Sequence, residues 1–257
     1  STSAPSSAAA EEFQSQAYDR SVFFVGPCFP PQAQPDAQQP ADDEVIAWMD
    51  KMHAEGQRVV CINMGTIYYY QPQDYAHMVQ ALHMIHEQNP NVAFLWKIAQ
   101  RPKHVQNIPS EDEAALPPYV RRLSWIPSMT AVMEHPALAV MMHHGGGNSL
   151  NECLAYGIPQ FCISQWVDTH DIGLCIRHSG VGLWSEYSPD FVPEDICSQL
   201  LQLVEDKDHT FRHTALSWKL KTQQAGGTKF AADLIQSYVT DYTYAGGSSK
   251  APMPLAM

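Results

Sequence analysis

Positive charge is scarce in this sequence. Its 257 residues contain 15 Lys and Arg against 27 Asp and Glu, which gives a formal net charge of −12 at pH 7. Nucleic acids and anionic membrane surfaces attract basic proteins, so this charge balance argues against both as partners. An acidic protein that binds a phosphate must rely on helix ends and backbone amides more than on clusters of Lys or Arg.

Long apolar runs are also missing, and none approaches the length of a membrane-spanning helix. The sequence therefore predicts no transmembrane segment. The N-terminus, STSAPSSAAAEE, lacks the charged start and the apolar centre of a signal peptide. Together these two absences predict a cytoplasmic protein.

The six cysteines are scattered, and no two of them form a CxxC pair. Cys61 and Cys162 lie in apolar runs typical of strands, and Cys153 lies in a run typical of a helix. This placement predicts small buried side chains in a reducing compartment, rather than a disulfide framework or a zinc site.

Hydrophobic residues make up 45% of the chain and charged residues 16%, which predicts a folded core. Strand-like runs are found at 58–64, 92–99, 119–125, 138–142, 160–164 and 181–185. Helical patterns are found at 42–55, 73–88, 128–135, 148–156, 168–178, 193–206 and 208–242, the last with a break at Gly226-Gly227. This alternation predicts an α/β fold, a Rossmann-like parallel sheet with helices on both faces.

Composition divides the chain into four segments. Residues 1–20 are rich in Ser and Ala, and we expect them to be disordered. Residues 21–41 begin with a short strand-like run at 21–26 and continue as a Pro- and Gln-rich linker of the interdomain type. Residues 42–242 form the main domain, and residues 243–257 form a loose tail. No internal repeat is evident.

One stretch, residues 125–171, contains the strongest functional pattern. The apolar run 138–142 ends at His143-His144, three glycines follow at 145–147, and Asn148 opens a helix. A strand, a glycine turn and a helix start leave backbone N–H groups pointing at an anion. Ligands of parallel sheets bind beyond the carboxyl ends of the strands. The prediction is one ligand-binding rim that contains residues 64–66, 143–149 and 164–171.

Structural alternatives exist for several of these residues. Ser149 and Glu152 have the S-x-x-E spacing of a helix capping box. Trp125 suits either a place in the core or a platform for a flat ring. A metal site is a further alternative, disfavoured by the lack of an H-E-x-x-H spacing. Its ligands would be His143, His144, Asp168, His170 and Asp171.

The stretch resembles the donor-binding signature of the UDP-dependent glycosyltransferases with the GT-B fold. In plant members that signature reads roughly W-x-P-Q, a histidine, H-C-G-W-N-S-x-x-E, G-V-P and P-x-x-x-D-Q. The residues that match in order and spacing are Trp125, Pro127, His135, His144, Gly146, Asn148, Ser149, Glu152, Gly157, Pro159 and Asp168. The start His143-His144-Gly145-Gly146 is also similar to the sterol and macrolide glycosyltransferases.

The resemblance implies that residues 42–242 bind a UDP-sugar donor. Trp125 would stack on uracil, Glu152 would hold the ribose hydroxyls, and Asp168 would contact the sugar. The diphosphate would be held by Thr66, His144, Asn148 and Ser149. The other donor-site positions of the signature are Ser128, Gly146, Gly147 and Thr169. A helix N-terminus can stabilise the departing diphosphate, so neither a metal nor another cofactor is expected.

The sequence departs from the signature at four positions. Ser128 stands in place of Gln, Gly147 in place of Trp, and Ser164 in place of Pro. Thr169, followed by His170, stands in place of the closing Gln. That last position is where the family holds the donor sugar, so the identity of the sugar is left open.

The resemblance implies the donor-binding half of an inverting enzyme that transfers a hexosyl group to a hydroxyl of a small, lipophilic acceptor. An acceptor-binding domain or subunit, absent from this chain, would supply the catalytic base, and this chain alone would be inactive or weakly active. His170 is the one nearby candidate base. Residues 230–257 would reach toward the absent half. The exposed interdomain face is a candidate surface for homodimerisation.

Two other functions fit the same residues. The chain could be a non-catalytic nucleotide-sugar-binding subunit that acts with an acceptor subunit. It could also be a UDP-sugar epimerase or hydrolase of the same fold, although such enzymes also use acid–base residues from two domains.

Overall fold

The structure, a computed structural model, describes residues 23–28, 40–110 and 115–244. The predictions for 1–20, for most of the linker and for nearly all of the tail lie outside these residues. The chain separates into two compact units, one made of Ser1–Ala33 with Gln223–Met257 and the other of Gln34–Thr222.

The larger unit contains a single six-stranded sheet in its described part. Its strands are β1 (Arg58–Asn63), β2 (Val92–Lys97), β3 (Val120–Leu123), β4 (Leu138–His143), β5 (Gln160–Cys162) and β6 (Gly182–Trp184). Every pair of neighbouring strands is parallel, and their order across the sheet is β3-β2-β1-β4-β5-β6. The predicted parallel α/β sheet is confirmed.

Helices connect the strands. They are α1 (Pro40–Ala54), α2 (Pro72–Gln88), α3 (Met129–Glu134), α4 (Gly147–Tyr156), α5 (Val167–Ser179), α6 (Pro193–Glu205), α7 (Thr210–Gln224) and α8 (Gly227–Tyr244). Each corresponds to a predicted helical pattern, and for the six helices from α1 to α6 the ends differ from the prediction by at most two residues. The predicted break at Gly226-Gly227 is confirmed, and it separates α7 from α8.

The central strands are buried on both faces, as their continuous apolar sequences predict. Val60 and Ile62 of β1 face a core that includes residues of α2 and α6. Val59 and Cys61 face the opposite core, which includes residues of α1, α3 and α4. This alternation places helices on both faces of the sheet.

The strand order reverses beside β1. From β1 the chain builds outward through β2 and β3, and then it returns to place β4 on the other side of β1. Asn63, the last residue of β1, is in register with Lys97 of β2 on one side and His143 of β4 on the other. The crevice beyond the carboxyl ends of β1 and β4 is therefore the topological switch point, where ligands of open α/β sheets bind.

The strand predicted at 21–26 is wrong over its described residues. Residues 23–28 have no regular secondary structure, although their apolar sequence suits a strand. Within the smaller unit, the carbonyl oxygen of Val25 accepts a hydrogen bond from the N–H of Gly227, at 2.7 Å. Phe23 packs edge-to-face on Tyr238, with ring centroids 6.3 Å apart. These apolar side chains therefore pack beside α8 without a partner strand.

The cysteines are all free. Four of them, Cys61, Cys153, Cys162 and Cys197, are buried as predicted, and burial raises the pKa of each thiol. Cys28 and Cys175 are exposed, so the prediction of burial is wrong for these two.

Among the helices that the structure describes, none combines the length and the apolar character that a membrane span requires.

Cys61 offers a test of the packed core around β1. The Cys61→Ser substitution buries a hydroxyl in a fully enclosed apolar site, so we expect the free energy of unfolding to fall by about 1–3 kcal/mol. Urea denaturation followed by circular dichroism measures it. The matched control is Cys175→Ser on the exposed side of α5, with an expected change within about 0.5 kcal/mol. Equal effects of the two substitutions would contradict the described core.

Candidate functional site

Two turns meet at the switch point. Gly65 follows β1 with a φ of +84°, a conformation that favours glycine. Its N–H donates to the side-chain oxygen of Asn63, at 3.1 Å, which closes the turn. Residues 144–147 follow β4 and lead into α4. Neighbouring parallel strands thus bring these two turns to one crevice.

The imidazole of His144 lies between the two turns. A Cβ atom added to Gly65 would come within 2.6 Å of the ring, and one added to Gly146 within 2.7 Å. Both glycines therefore make room for this side chain. A Cβ on Gly147, in contrast, would meet nothing within 4 Å. Of these three glycines, Gly147 is therefore the one that borders open space.

His144 has unused hydrogen-bonding capacity. Its Nδ1 atom is buried and has no hydrogen-bond partner in the part of the chain that the structure describes. Burial lowers the pKa of this histidine, the nearby charge of Asp168 opposes the shift, and the charge of Lys97 adds to it. The result is a neutral imidazole at the crevice with one nitrogen available to a ligand.

His143 points the other way, into the sheet, and is fully buried. Its Nδ1 accepts the N–H of Gly145 at 3.0 Å, so its Nε2–H donates to the side-chain oxygen of Gln160 at 2.9 Å. Burial lowers the pKa of His143 to about 4, which keeps it neutral near pH 7. One histidine holds the turn and the other reaches the crevice, as alternation along a strand predicts.

Helix α4 begins without a side-chain cap. Gly146 is its N-cap residue, and the first main-chain bond runs from the N–H of Leu150 to the carbonyl of Gly146, at 3.1 Å. The preceding N–H groups, at 147–149, have no acceptor within the helix. The capping-box alternative is wrong, because Ser149 already lies inside the helix and Glu152 follows it by almost a turn. The start of α4 thus presents backbone N–H groups of the kind that can bind an anion.

Glu152 and Trp125 add a carboxyl group and a flat ring. Glu152 is partly buried, and burial raises the pKa of its carboxyl. Trp125, after β3, is 59% exposed, so it is not the core residue that one alternative allowed. The Nζ atom of Lys97 lies 4.5 Å from the centroid of the Trp125 ring. Lys97 was missed by sequence reasoning, and the only signal for it was a lysine within the apolar run VAFLWKIA.

The chain is similar to known glycosyltransferases. A family model described as Erythromycin biosynthesis protein CIII-like, C-terminal domain, matches residues 103–229. Erythritol-mannosyl-transferase 1 of Mycosarcoma maydis is 26% identical over 289 residues, which cover 89% of this chain and 46% of that protein. Limonoid UDP-glucosyltransferase of Citrus unshiu is 27% identical over 234 residues, which cover 84% of this chain and 44% of that protein.

A solved structure has the same fold. The structure of UDP-glucose: anthocyanidin 3-O-glucosyltransferase in complex with UDP aligns with a TM-score of 0.62 and 21% identity. The alignment covers 77% of this chain and 42% of that one. These similarities support the C-terminal half of a UDP-glycosyltransferase. The chain spans less than half the length of each of the three proteins compared.

Two residues of the UDP-glycosyltransferase signature, His135 and Ser128, have structural roles in this chain. His135 is buried, its Nδ1 accepts the N–H of Ala137 at 3.1 Å, and its Nε2 lies 3.1 Å from a carboxylate oxygen of Asp50. The Ser128 hydroxyl accepts the N–H of Ala131 at 3.2 Å and caps α3. Both side chains therefore shape the chain on either side of α3.

The start of α5 separates two neighbouring signature positions. Asp168 is exposed in the first turn of the helix. Thr169 is fully buried, and its hydroxyl accepts the N–H groups of Gln165 and Trp166 at 2.9 and 3.0 Å. Asp168 is thus accessible to a ligand. Thr169 stabilises the loop that precedes the helix, and its side chain is not accessible.

The remaining predicted residues lie as follows. Asn148 and Gly147 are exposed at the start of α4, and Ser149 is buried one position further on. Thr66 is exposed in the turn after β1, and Arg101 donates to its carbonyl oxygen. The structure thus brings Thr66, His144 and the start of α4 to one crevice.

The alternative metal site is not formed. His143 bonds to Gln160, and the ring of His170 packs edge-to-face on Trp184, with centroids 6.0 Å apart. No group of three or more His, Cys, Asp or Glu side chains within the described ranges could hold a metal ion. The prediction that no metal is needed stays a prediction.

The two glycines at the start of α4 should respond differently to substitution. In Gly146→Ala the new methyl group collides with the His144 ring, so we expect a loss of about 1–3 kcal/mol in the free energy of unfolding. In Gly147→Ala the methyl group meets open space, and the change should stay within about 1 kcal/mol. Urea denaturation compares them, and equal losses would contradict the described position of His144.

The buried His143 should make stability depend on pH. The unfolded chain protonates this residue near its usual pKa of 6.5, and the folded chain only near pH 4. The contribution is therefore complete above pH 6.5 and is lost as the pH falls toward 4, by up to roughly 3 kcal/mol. His143→Gln keeps one acceptor and one donor but removes the titration.

Urea unfolding between pH 7 and pH 4 measures how the free energy of unfolding changes with pH. The contribution of His143 is the difference in this pH dependence between the parent chain and His143→Gln. We expect the variant to lose less stability on acidification. Parallel curves would contradict the burial of a neutral His143.

Proposed function

We propose that this chain is the donor-binding half of an inverting glycosyltransferase, which transfers a hexosyl group from a UDP-sugar to a hydroxyl of a small, lipophilic acceptor. One observation carries the proposal: at the switch point, the uncapped start of α4 lies beside the unpartnered Nδ1 of His144. A helix start with free N–H groups and a neutral imidazole suits a diphosphate.

In this proposal the diphosphate accepts hydrogen bonds from the amides at 147–149. Asn148 and Thr66, both exposed, add side-chain donors. His144 adds an imidazole N–H, because a neutral histidine can donate from either ring nitrogen according to its tautomer. The crevice thus binds an anion in a protein whose net charge is −12.

The nucleoside would occupy the adjoining surface. The exposed ring of Trp125 provides a face for uracil, and the partly buried carboxylate of Glu152 accepts the ribose hydroxyls. Glu152 has no hydrogen bond or ion pair to any other residue that the structure describes, so its oxygens are available. Asp168, exposed beside His144, would accept hydroxyls of the sugar.

Transfer with inversion is a single displacement. A base removes the proton of the acceptor hydroxyl, the oxygen attacks the anomeric carbon from the face opposite the nucleotide, and the bond to the diphosphate breaks. Negative charge grows on the departing UDP, and the dipole of α4 with its free amides stabilises that charge. The base is proposed to come from an acceptor-binding domain outside the described residues, because His170 packs against Trp184.

A second candidate differs in sugar and acceptor. The similarity to an erythritol-mannosyl-transferase extends over 89% of this chain, and its name specifies mannose as the sugar and a small polyol as the acceptor. The departure at Thr169-His170 also leaves the sugar undetermined. We therefore keep mannosyl transfer to a polyol as the alternative activity.

Calorimetric titration with UDP tests the proposed function. The parent chain should bind UDP, and Glu152→Gln should weaken binding about tenfold or more, because the amide replaces an acceptor oxygen with a donor. The control Glu55→Gln changes an exposed carboxylate paired with Lys51 after α1 and should bind normally. Absence of UDP binding by the folded parent chain would overturn the proposal.

The pH dependence of UDP affinity provides an independent test of Glu152. Its ionised carboxylate accepts the ribose hydroxyls, and burial raises the pKa of this group above the usual value for Glu. Affinity should therefore fall as the pH drops through that raised pKa, and the fall should be smaller in Glu152→Gln. An identical pH profile for both chains would exclude Glu152 from ribose binding.

Competition among nucleotide sugars separates the two candidate activities. The panel contains UDP-glucose, UDP-N-acetylglucosamine, UDP-glucuronate and a mannosyl nucleotide with a guanine base. Preference for a UDP-sugar would support the first candidate, and preference for the mannosyl nucleotide would support the second.

A further inference from the structure

We infer that Lys97, at the carboxyl end of β2, is a diphosphate-binding residue of this site. This inference rests on the proposed function, and it assigns a cation that lies outside the stretch 125–171. Three observations support it: the burial of the lysine residue, its lack of an anionic partner, and its position between Trp125 and His144.

The first two observations concern the charge itself. Lys97 is only 6% exposed, whereas the lysines that form ion pairs in the described chain, such as Lys51 and Lys207, are largely exposed. None of the ion pairs and hydrogen bonds among the described residues uses Lys97. Its one specific contact is the ring of Trp125, at 4.5 Å. Holding a cation on a largely buried residue without a counter-charge is costly, and this protein has nearly twice as many acids as bases.

The third observation concerns position. Lys97 and His143 lie on opposite sides of Asn63 in the sheet, in register with it, so both strands end at the crevice. The charge of Lys97 is close enough to His144 to oppose its protonation. The ammonium group therefore lies between the exposed indole proposed for uracil and the imidazole proposed for the diphosphate.

An anion at this position would satisfy the ammonium group. Burial lowers the pKa of Lys97, and the charge of Arg101 adds to the shift, while a bound diphosphate would restore it. The amides of α4 offer only partial charges, whereas Lys97 offers a full charge and three N–H donors. Arg101 is less suited, because it donates to the carbonyl of Thr66 and stacks over Tyr69.

The competing explanation is that Lys97 acts only through Trp125, by holding the indole with a cation–π contact. Uridine separates the two explanations, because it has the base and the ribose but no phosphate. A phosphate-binding lysine affects UDP and spares uridine. A lysine that only positions Trp125 affects both equally.

The experiment is titration of the whole chain with UDP and with uridine, in the parent and in Lys97→Met, at two salt concentrations. We expect Lys97→Met to weaken UDP binding about tenfold or more and uridine binding by less than about twofold. The salt dependence of UDP binding should also decrease, because one ionic contact is lost. Lys97→Arg, which keeps the charge, should retain more affinity for UDP than Lys97→Met.

Thermal unfolding distinguishes a binding role from a structural one. Removing an unpaired buried charge should leave the melting temperature of Lys97→Met unchanged or higher. The control Lys51→Met removes an exposed lysine from the last turn of α1, and it should bind both ligands normally.

Three results would overturn the inference. Unchanged UDP affinity in Lys97→Met would exclude a contact with the diphosphate. Equal losses for UDP and uridine would leave Lys97 with a positioning role alone. Failure of the parent chain to bind UDP would remove the proposed function and the inference together, whereas the first two results leave the proposed function intact.

Discussion

The crevice depends on one close approach, that of the His144 imidazole to the backbones of Gly65 and Gly146. The ring occupies the space where the turn after β1 meets the turn after β4, and any side chain at either glycine would displace it. His143 stabilises the second turn by hydrogen bonds to the N–H of Gly145 and to the side-chain oxygen of Gln160. The direction of α4, and with it the direction of its free amides, follows from this packing.

The site concentrates groups that the folded chain leaves unsatisfied. Nδ1 of His144 has no partner in the described structure, Glu152 is partly buried with a raised pKa, and α4 lacks a side-chain cap. Each of these costs stability in the free protein, and each would be complemented by the proposed nucleotide diphosphate or its ribose. Functional sites commonly sacrifice stability in this way.

The order of strands and helices could be predicted from apolar runs and their spacing, because a buried parallel strand and an amphipathic helix have different periods. Features that depend on residues distant in sequence but close in space could not be predicted in this way. The apolar residues at 23–26 suit a strand but pack beside a helix, and α4 begins before Ser149. The inward direction of Thr169 depends on the loop in front of α5. Lys97 lies outside the signature, and its position beside the ring of Trp125 emerges only in the folded chain.

The strand order also affects how the chain folds during synthesis. β1 can pair with β2 as soon as both have left the ribosome, but its other edge must wait for β4, which is made much later. Until then the apolar edge of Val59–Ile62 is exposed and can pair with another chain. The long crossover that creates the binding crevice therefore also makes the nascent protein vulnerable to aggregation.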